Sequence, residues 1–129
     1  MNKKKELAKI HPLAKAPTII VDGVAMVESG AIIEFLIERF GEGKLAPAPG
    51  SADRSAYLEW LHIAEGTMAL PLILKLLSPR FGGLGDGLTP YIDGEVTKAL
   101  DYSEAHLTGR DYLVGDSFTG ADINLAYIV

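Results

Sequence analysis

The chain contains no cysteine among its 129 residues. Disulfides, thiolate metal sites and a cysteine nucleophile are therefore excluded within this sequence, and such a composition is typical of a reducing cytosol. The three histidines, His11, His62 and His106, are scattered along the chain and show no metal-ligand spacing. The sequence therefore predicts a cytoplasmic protein without a metal site.

Positive charge is also scarce. Lys and Arg number 12 against 17 Asp and Glu, giving a net charge of −5, whereas nucleic-acid binding needs a concentrated basic surface. The basic run Lys3-Lys4-Lys5 is too short for a phosphate-binding stripe, and we interpret it as a solvated tail. No uninterrupted stretch approaches the ~20 apolar residues of a membrane span. Neither a nucleic acid nor a membrane is therefore an expected partner.

The first third of the chain shows the pattern of a hairpin followed by a helix. Hydrophobic residues make up 48% of the sequence and charged residues 22%, which is typical of a globular protein. The β-branched run 18–21 ends in Asp22-Gly23, a strong signal for a two-residue hairpin turn. Residues 24–27 supply the returning strand, and Ser29 is a suitable N-cap for an apolar helix that ends near Phe40.

The rest of the chain carries helical patterns only. Residues 42–51 are rich in proline and glycine, without periodicity, and predict a linker. Apolar residues then recur at helical spacing from Asp53 to Leu77, with Pro71 expected to kink the helix. The glycine-rich residues 81–87 lack the Gly-Lys-Ser/Thr of a phosphate loop and predict a flexible connection. Thr89-Pro90 is expected to open the next helix.

Two sequence segments carry a resemblance to a known family. Residues 11–20 read His-Pro-Leu-Ala-Lys-Ala-Pro-Thr-Ile-Ile and are followed by Asp22-Gly23 and by Glu28-Ser29-Gly30-Ala31-Ile32. Residues 112–123 read Tyr-Leu-Val-Gly-Asp-Ser-Phe-Thr-Gly-Ala-Asp-Ile. In this order they resemble the glutathione transferases, whose first domain is thioredoxin-like and whose second is helical. His11 and Ala14 depart from the usual asparagine and glycine of the first segment.

The resemblance implies a fold class and a domain organisation. We expect an α+β remnant of a thioredoxin-like domain, comprising a β-hairpin and a helix, followed by an all-α helical-bundle domain. The expected boundaries are residues 1–41 for the partial glutathione-binding domain, 42–51 for the linker and 52–129 for an incomplete helical domain. Tyr57 and Trp60 are expected in the core or at the domain interface.

The resemblance also implies a glutathione site in the first domain. In the family the proline at the position of Pro17 is cis, and the residue before it, here Ala16, pairs through its backbone with the cysteinyl backbone of glutathione. The alternative is a trans proline that starts an edge strand. Lys15 either meets the glycyl carboxylate or is an ordinary surface lysine.

The helix that follows the hairpin supplies the other half of this site. In the family the serine matching Ser29 holds the γ-glutamyl carboxylate, and the acid matching Glu28 faces the α-ammonium group. A helix N-terminus favours an anion through its free N–H groups and its dipole. The alternative is an ordinary N-cap with a first-turn acid. Thr119 and Asp122 have the spacing of a capping box and are expected to be structural.

The segment that activates the thiol in this family has no counterpart among the ten residues before His11, because a β-α-β unit needs about 30 residues. We therefore expect a chain shortened at its N-terminus and also at its C-terminus, with no catalytic residue of its own. The function implied is a glutathione transferase, with glutathione as co-substrate, a small electrophile as partner and a homodimeric assembly. The alternative is a non-catalytic binding or protein-association module.

Overall fold

A computed structural model describes residues 3–129, so that Met1 and Asn2 of the predicted first domain lie outside the described residues. The chain divides into two compact units, Met1–Glu42 and Gly43–Val129. The division lies at the start of the predicted linker, and most of that segment therefore belongs to the second unit. The two units agree with the expected fold class, a thioredoxin-like hairpin with helices followed by a helical bundle.

The first unit contains the predicted hairpin. Strands β1 (Thr18–Val21) and β2 (Val24–Val27) pair antiparallel, with Thr18 opposite Val27 and Val21 opposite Val24. The two turn residues, Asp22 and Gly23, have φ values of 51° and 80°. Positive φ at both positions is the type I′ geometry whose twist matches that of the flanking strands. The Asp-Gly signal therefore predicted the two-residue turn correctly.

Two helices flank the hairpin in sequence. Helix α2 (Ser29–Phe40) follows β2 as predicted and buries Ile32. Helix α1 (Lys3–Ile10) was not predicted, because its lysines suggested a tail. Lys4 and Lys5 are exposed, as a solvated segment requires, yet their backbone is helical. Lysine is a good helix former, and the Lys9 ammonium group lies 3.1 Å from the Glu6 carboxylate one turn away.

The second unit consists of helical segments connected by short turns. They are helix α3 (Arg54–Ile63), a π-helical segment (Ala64–Ala69), helix α4 (Leu70–Leu77), a 3₁₀ turn (Ser78–Phe81), helix α5 (Gly85–Leu107) and helix α6 (Gly120–Ile128). The core side chains come mainly from α3, the π segment, α5 and α6: Tyr57, Trp60, Leu61, Met68, Ile92, Val96 and Leu125 are all buried. Tyr57 and Trp60 thus lie in the core, as predicted.

The irregular part of the first long helix lies before Pro71, not at it. Pro71 occupies the first turn of α4, directly after the π-helical segment, and its missing N–H removes a helical hydrogen bond to a carbonyl group of that segment. The change of hydrogen-bonding pattern takes place over Ala64–Ala69. Next to it in sequence, the carbonyl oxygen of Leu61 accepts a hydrogen bond of 2.8 Å from the side-chain amide of Asn124, which is 1% exposed. Asn124 thereby ties α6 to the helix beside the π segment.

Helix α5 begins five residues before Pro90, its predicted first residue. It starts at Gly85, so Pro90 lies inside the helix and Thr89 is not its N-cap. The Thr89 hydroxyl instead donates a hydrogen bond of 2.8 Å to the Gly85 carbonyl oxygen, one turn back. Residues 85–91 are all exposed. The carbonyl that Pro90 leaves without a donor therefore faces water, which makes the proline tolerable there.

The predicted capping box at the start of α6 is present. The Asp122 carboxylate accepts hydrogen bonds from the Thr119 N–H at 2.7 Å and from the Thr119 hydroxyl at 2.8 Å. Its other oxygen accepts a bond of 2.8 Å from the Leu113 N–H. One carboxylate thus joins the start of α6 to the turn that precedes it.

The continuous helical stretch Arg54–Phe81 spans 28 residues and has a mean hydropathy of 1.3 over its most apolar window. By length and composition alone it could cross a membrane, although its apolar residues form no uninterrupted run in the sequence. The core helix of a globular unit meets the same test. Tyr57, Trp60 and Met68 from this stretch are buried in the second unit.

We predict that Asp122→Ala lowers the stability of the helical unit by about 2–3 kcal/mol, because it removes three charge-assisted hydrogen bonds, two of them from backbone N–H groups. Trp60 is the single tryptophan and lies in this unit, so its fluorescence during urea unfolding reports the change. Asp101→Ala, on the exposed face of α5, is the control and should change stability by less than about 0.5 kcal/mol. Equal midpoints for the two variants would contradict the structural role of Asp122.

Candidate functional site

The hairpin register brings the predicted glutathione-binding residues together at one end of the first unit. In the ladder, the numbers of paired residues sum to 45, from Val21 opposite Val24 to Thr18 opposite Val27. The ladder ends at Thr18 opposite Val27, so Pro17 and Glu28, the next residue on each strand, leave the same end of the hairpin. Ala16 and Ser29 are each one residue further along. Ala16 and Ser29 are 13 positions apart in sequence, and the hairpin turn brings the two segments to the same end of the unit.

The peptide bond between Ala16 and Pro17 is cis. The alternative of a trans proline at the start of an edge strand is therefore wrong. Both residues are exposed, and β1 begins directly after them at Thr18. The Thr18 hydroxyl donates a hydrogen bond to the Lys15 carbonyl oxygen, which closes the turn that leads into the strand. The backbone of Ala16 is thus presented to solvent at a fixed place.

Glu28 has an unusual backbone conformation between β2 and α2. Its φ is 75° and its ψ is 113°, and its side chain makes no capping hydrogen bond. Few non-glycine residues adopt a positive φ, and those that do cluster at sites where the surrounding structure requires it. Glu28 is the N-cap of α2, and Ser29 is its first residue. The prediction of Ser29 as the N-cap was therefore wrong by one position.

This backbone conformation positions the Glu28 side chain and the N-terminus of α2 together. The Glu28 carbonyl oxygen accepts the first helical hydrogen bond, from the Ile32 N–H at 2.9 Å. The carboxylate of Glu28 is exposed, while Ser29 is half-buried. A negative side chain thus lies beside the partial positive charge of a helix N-terminus. Such a pair is complementary to an α-amino acid group, which carries both an ammonium and a carboxylate.

Lys15 lies on the other side of the cis peptide, where it is exposed. The unit therefore offers one ammonium group, one carboxylate and one helix N-terminus around the end of the hairpin. Sequence reasoning missed the positive φ of Glu28 and also that of Ala14, which is 50°. Ala14 replaces the glycine usual in the family. Glutamate and alanine do not ordinarily indicate a left-handed backbone. Only the family motif as a whole could have indicated the positive φ at these two positions.

The helical unit contains an aromatic cluster but no predicted site residue. The Trp60 ring lies 5.0 Å from the Tyr102 ring and 4.5 Å from the His106 ring, between centroids. A ring nitrogen of His106 lies 2.8 Å from the Leu113 carbonyl oxygen. A cavity of about 250 Å³ borders Tyr102. Tyr57, expected in the core or at the domain interface, is 0% exposed.

Comparison with protein families assigns both parts of the chain. Residues 1–44 match the family model of the glutathione S-transferase N-terminal domain. Residues 88–129 match the model of the glutathione S-transferase C-terminal domain. The two matches occur in the order expected from the sequence motifs.

Curated relatives agree with these matches. The chain is 33% identical to the probable maleylacetoacetate isomerase of Caenorhabditis elegans, over 98% of this chain and 59% of that protein. It is 26% identical to glutathione S-transferase 3 of Schizosaccharomyces pombe, over 92% of this chain and 54% of that protein. The chain thus spans somewhat more than half the length of these relatives.

Solved structures show the same fold. A glutathione S-transferase from Actinobacillus pleuropneumoniae aligns with a TM-score of 0.83 and 31% identity, over 95% of this chain and 56% of that one. A sphingomonad glutathione S-transferase, solved in complex with glutathione, aligns with a TM-score of 0.75 and 27% identity, over 94% of this chain and 62% of that one. From its two domain matches, its relatives and its fold, the chain belongs to the glutathione S-transferase family.

Proposed function

We propose that this protein is a glutathione transferase-like protein and that glutathione binds at the end of the hairpin in the first unit. The observation that carries the proposal is the register of the hairpin, in which the cis Ala16-Pro17 bond and Glu28-Ser29 leave the same end of the two strands. The sphingomonad relative of the same fold was solved with glutathione bound. The named transferases among the relatives favour this function over a non-catalytic association module.

Each end of glutathione has a chemically matched group in this arrangement. The γ-glutamyl carboxylate is held by Ser29 and the N-terminus of α2, and its α-ammonium group faces the Glu28 carboxylate. The backbone of Ala16, before Pro17, pairs with the cysteinyl backbone. Lys15 is within the same turn and meets the glycyl carboxylate. Glutathione is thus recognised by charged groups at its two ends and by backbone hydrogen bonds at its central cysteinyl residue.

The reaction that follows is attack of the glutathione thiolate on a small electrophile. The sulfur forms a bond to an electrophilic carbon, the leaving group departs with its electron pair, and the thiol proton passes to solvent or to a base. The described residues of this chain hold and orient glutathione, and none of them is assigned to the activation of its thiol. We also propose a cytoplasmic location, which the absence of cysteine supports.

A homodimer is the proposed assembly. Within residues 3–129, β1 pairs with β2 and with no other strand. Ile20 and Val24 are 57% and 69% exposed on this hairpin. Short apolar strands with open edges pair readily with another chain. The proposal therefore includes strand pairing between two copies as one way to cover these edges.

The glutathione site is tested by Ser29→Ala. Loss of the hydroxyl should raise the dissociation constant for glutathione roughly tenfold, as expected for one hydrogen bond to a carboxylate. Calorimetric titration of the whole chain measures it. Ser55→Ala is the matched control, because Ser55 is an exposed serine of α3 in the second unit. Equal affinities in Ser29→Ala and Ser55→Ala would refute the site.

The backbone conformation of Glu28 allows a second test of the site. If its strained positive φ serves ligand binding, it should lower the stability of the first unit. In Glu28→Gly the backbone can keep its positive φ without steric strain, whereas in Glu28→Gln the strain remains. We expect the glycine variant to be more stable than the glutamine variant by about 1 kcal/mol, once the greater chain entropy of glycine is subtracted. Amide hydrogen exchange of β1 and β2 measures the difference. Both variants should bind glutathione more weakly than the parent; a parent-like affinity in either would count against the role of the carboxylate.

Sedimentation velocity tests the assembly. We expect a species of twice the 13.8 kDa chain mass whose fraction grows with protein concentration. Ile20→Lys places a charge on the exposed hairpin surface and should shift the equilibrium toward the monomer. Leu76→Lys is the control, because Leu76 is exposed on α4 in the other unit. A monodisperse monomer at all concentrations would rule out the dimer.

A further inference from the structure

The helical unit contains a cleft of about 460 Å³ that lies outside the glutathione site. One wall is the irregular segment 43–47, in which Leu45 has a φ of 65°, and the other is the loop 114–119; Asp53 also lines the cleft. All of these residues belong to the second unit, Gly43–Val129. We refer to this feature as the helical-unit cleft. Its volume is within the range of small-molecule sites in proteins, about 300–1,000 Å³.

Both walls of the helical-unit cleft are fixed by hydrogen bonds to helices. The Leu45 carbonyl oxygen accepts a bond of 2.8 Å from the N–H of Gly120, at the start of α6. The Pro47 carbonyl oxygen accepts one of 3.3 Å from the Arg54 guanidinium group. The opposite loop ends at Thr119, which the Asp122 carboxylate holds. A ligand would therefore find a preformed cleft and would not need to order its walls.

Gly115 lies where the loop meets Asp53. Its φ is 58°, and a Cβ atom built on it would lie 3.4 Å from Oδ2 of Asp53. The Asp53 carboxylate therefore lies next to the backbone of the loop, at the edge of the cleft. A side chain at position 115 would be strained by the positive φ, and its Cβ would make ordinary van der Waals contact with Asp53.

The charged groups of the cleft are not neutralised by one another. Lys44, Asp53 and Asp116 line it, and within residues 3–129 none of their side chains takes part in a hydrogen bond or an ion pair. Next to them the lining is apolar, including Leu45 and Phe118, which is 48% exposed. Two carboxylates and one ammonium group beside an apolar surface are complementary to a molecule with both charges and an apolar part.

We propose that the helical-unit cleft binds a small zwitterion, namely a free α-amino acid or a dipeptide with an apolar side chain. Asp53 and Asp116 receive its ammonium group, Lys44 receives its carboxylate, and the side chain packs against Phe118 and Leu45. A metal ion fits less well, because no group of three or more potential metal ligands is found in the described part of the chain. The proposal does not depend on glutathione binding in the first unit.

The test is an NMR titration of the ¹⁵N-labelled whole chain with L-phenylalanine and with L-phenylalanylglycine. Saturable shifts of the Gly115, Ser117 and Phe118 amides are expected with at least one of the two, and the tighter ligand identifies the amino acid or the dipeptide. N-acetyl-L-phenylalanine lacks the ammonium charge and L-phenylalanine methyl ester lacks the carboxylate. Each should bind roughly tenfold more weakly than L-phenylalanine.

Surface variants provide the controls. Asp116→Asn and Lys44→Gln should each weaken binding roughly tenfold. Asp101→Asn, an exposed aspartate of α5 outside the cleft, should leave it unchanged. No saturable shift at any soluble concentration would overturn the proposal. So would binding of the acetylated and esterified compounds as tight as that of L-phenylalanine, or equal binding by Asp116→Asn, Lys44→Gln and the parent chain.

Discussion

The two-residue turn at Asp22-Gly23 sets the geometry of the first unit. Both residues have positive φ, and this turn type allows only one register between the strands it joins. A shift of one residue would move every strand side chain to the opposite face of the hairpin. It would also change which residues leave the hairpin at the end opposite the turn, where Pro17 and Glu28 do so in the observed register. The candidate glutathione site therefore depends on a turn at the other end of the hairpin.

A single carboxylate has a comparable role in the second unit. Asp122 holds Thr119 at the start of α6 and the Leu113 N–H in the preceding turn. The carbonyl oxygen of Leu113 lies within hydrogen-bond distance of a ring nitrogen of His106, and the His106 ring packs on Trp60 in the core. The same start of α6 donates a hydrogen bond to Leu45 and thereby fixes one wall of the helical-unit cleft. The capping motif that locates the fold in the sequence thus also shapes this cleft.

Short sequence motifs that are compatible with only one local structure were predicted correctly. Asp22-Gly23 has few alternatives to a type I′ turn, and Thr119 with Asp122 has few alternatives to a capping box. Large apolar residues at helical spacing, such as Tyr57 and Trp60, were placed in the core for the same reason. The cis state of Pro17 could not be predicted from the ten-residue segment alone, because that segment is compatible with both isomers. The resemblance decided between them.

The structural features that were not predicted lie where the local conformational preferences of the residues are weak or conflict with one another. Lysines at positions 4 and 5 are compatible with a tail or with a helix, and nothing in their spacing decides between the two. Thr89-Pro90 is a good helix start, yet four exposed residues before it extend α5 to Gly85. The positive φ of Glu28 is imposed by the junction of strand and helix, against the preference of its own side chain.

The central claim is that glutathione is held between the cis peptide of the first unit and the N-terminus of α2. The most direct measurement is the set of intermolecular nuclear Overhauser effects in the complex of the whole ¹⁵N-labelled chain with glutathione. Contacts are predicted from the γ-glutamyl α-proton to the Ser29 and Gly30 amides and from the cysteinyl protons to Ala16. Contacts confined to residues of the helical unit, or to none of these positions, would contradict the account.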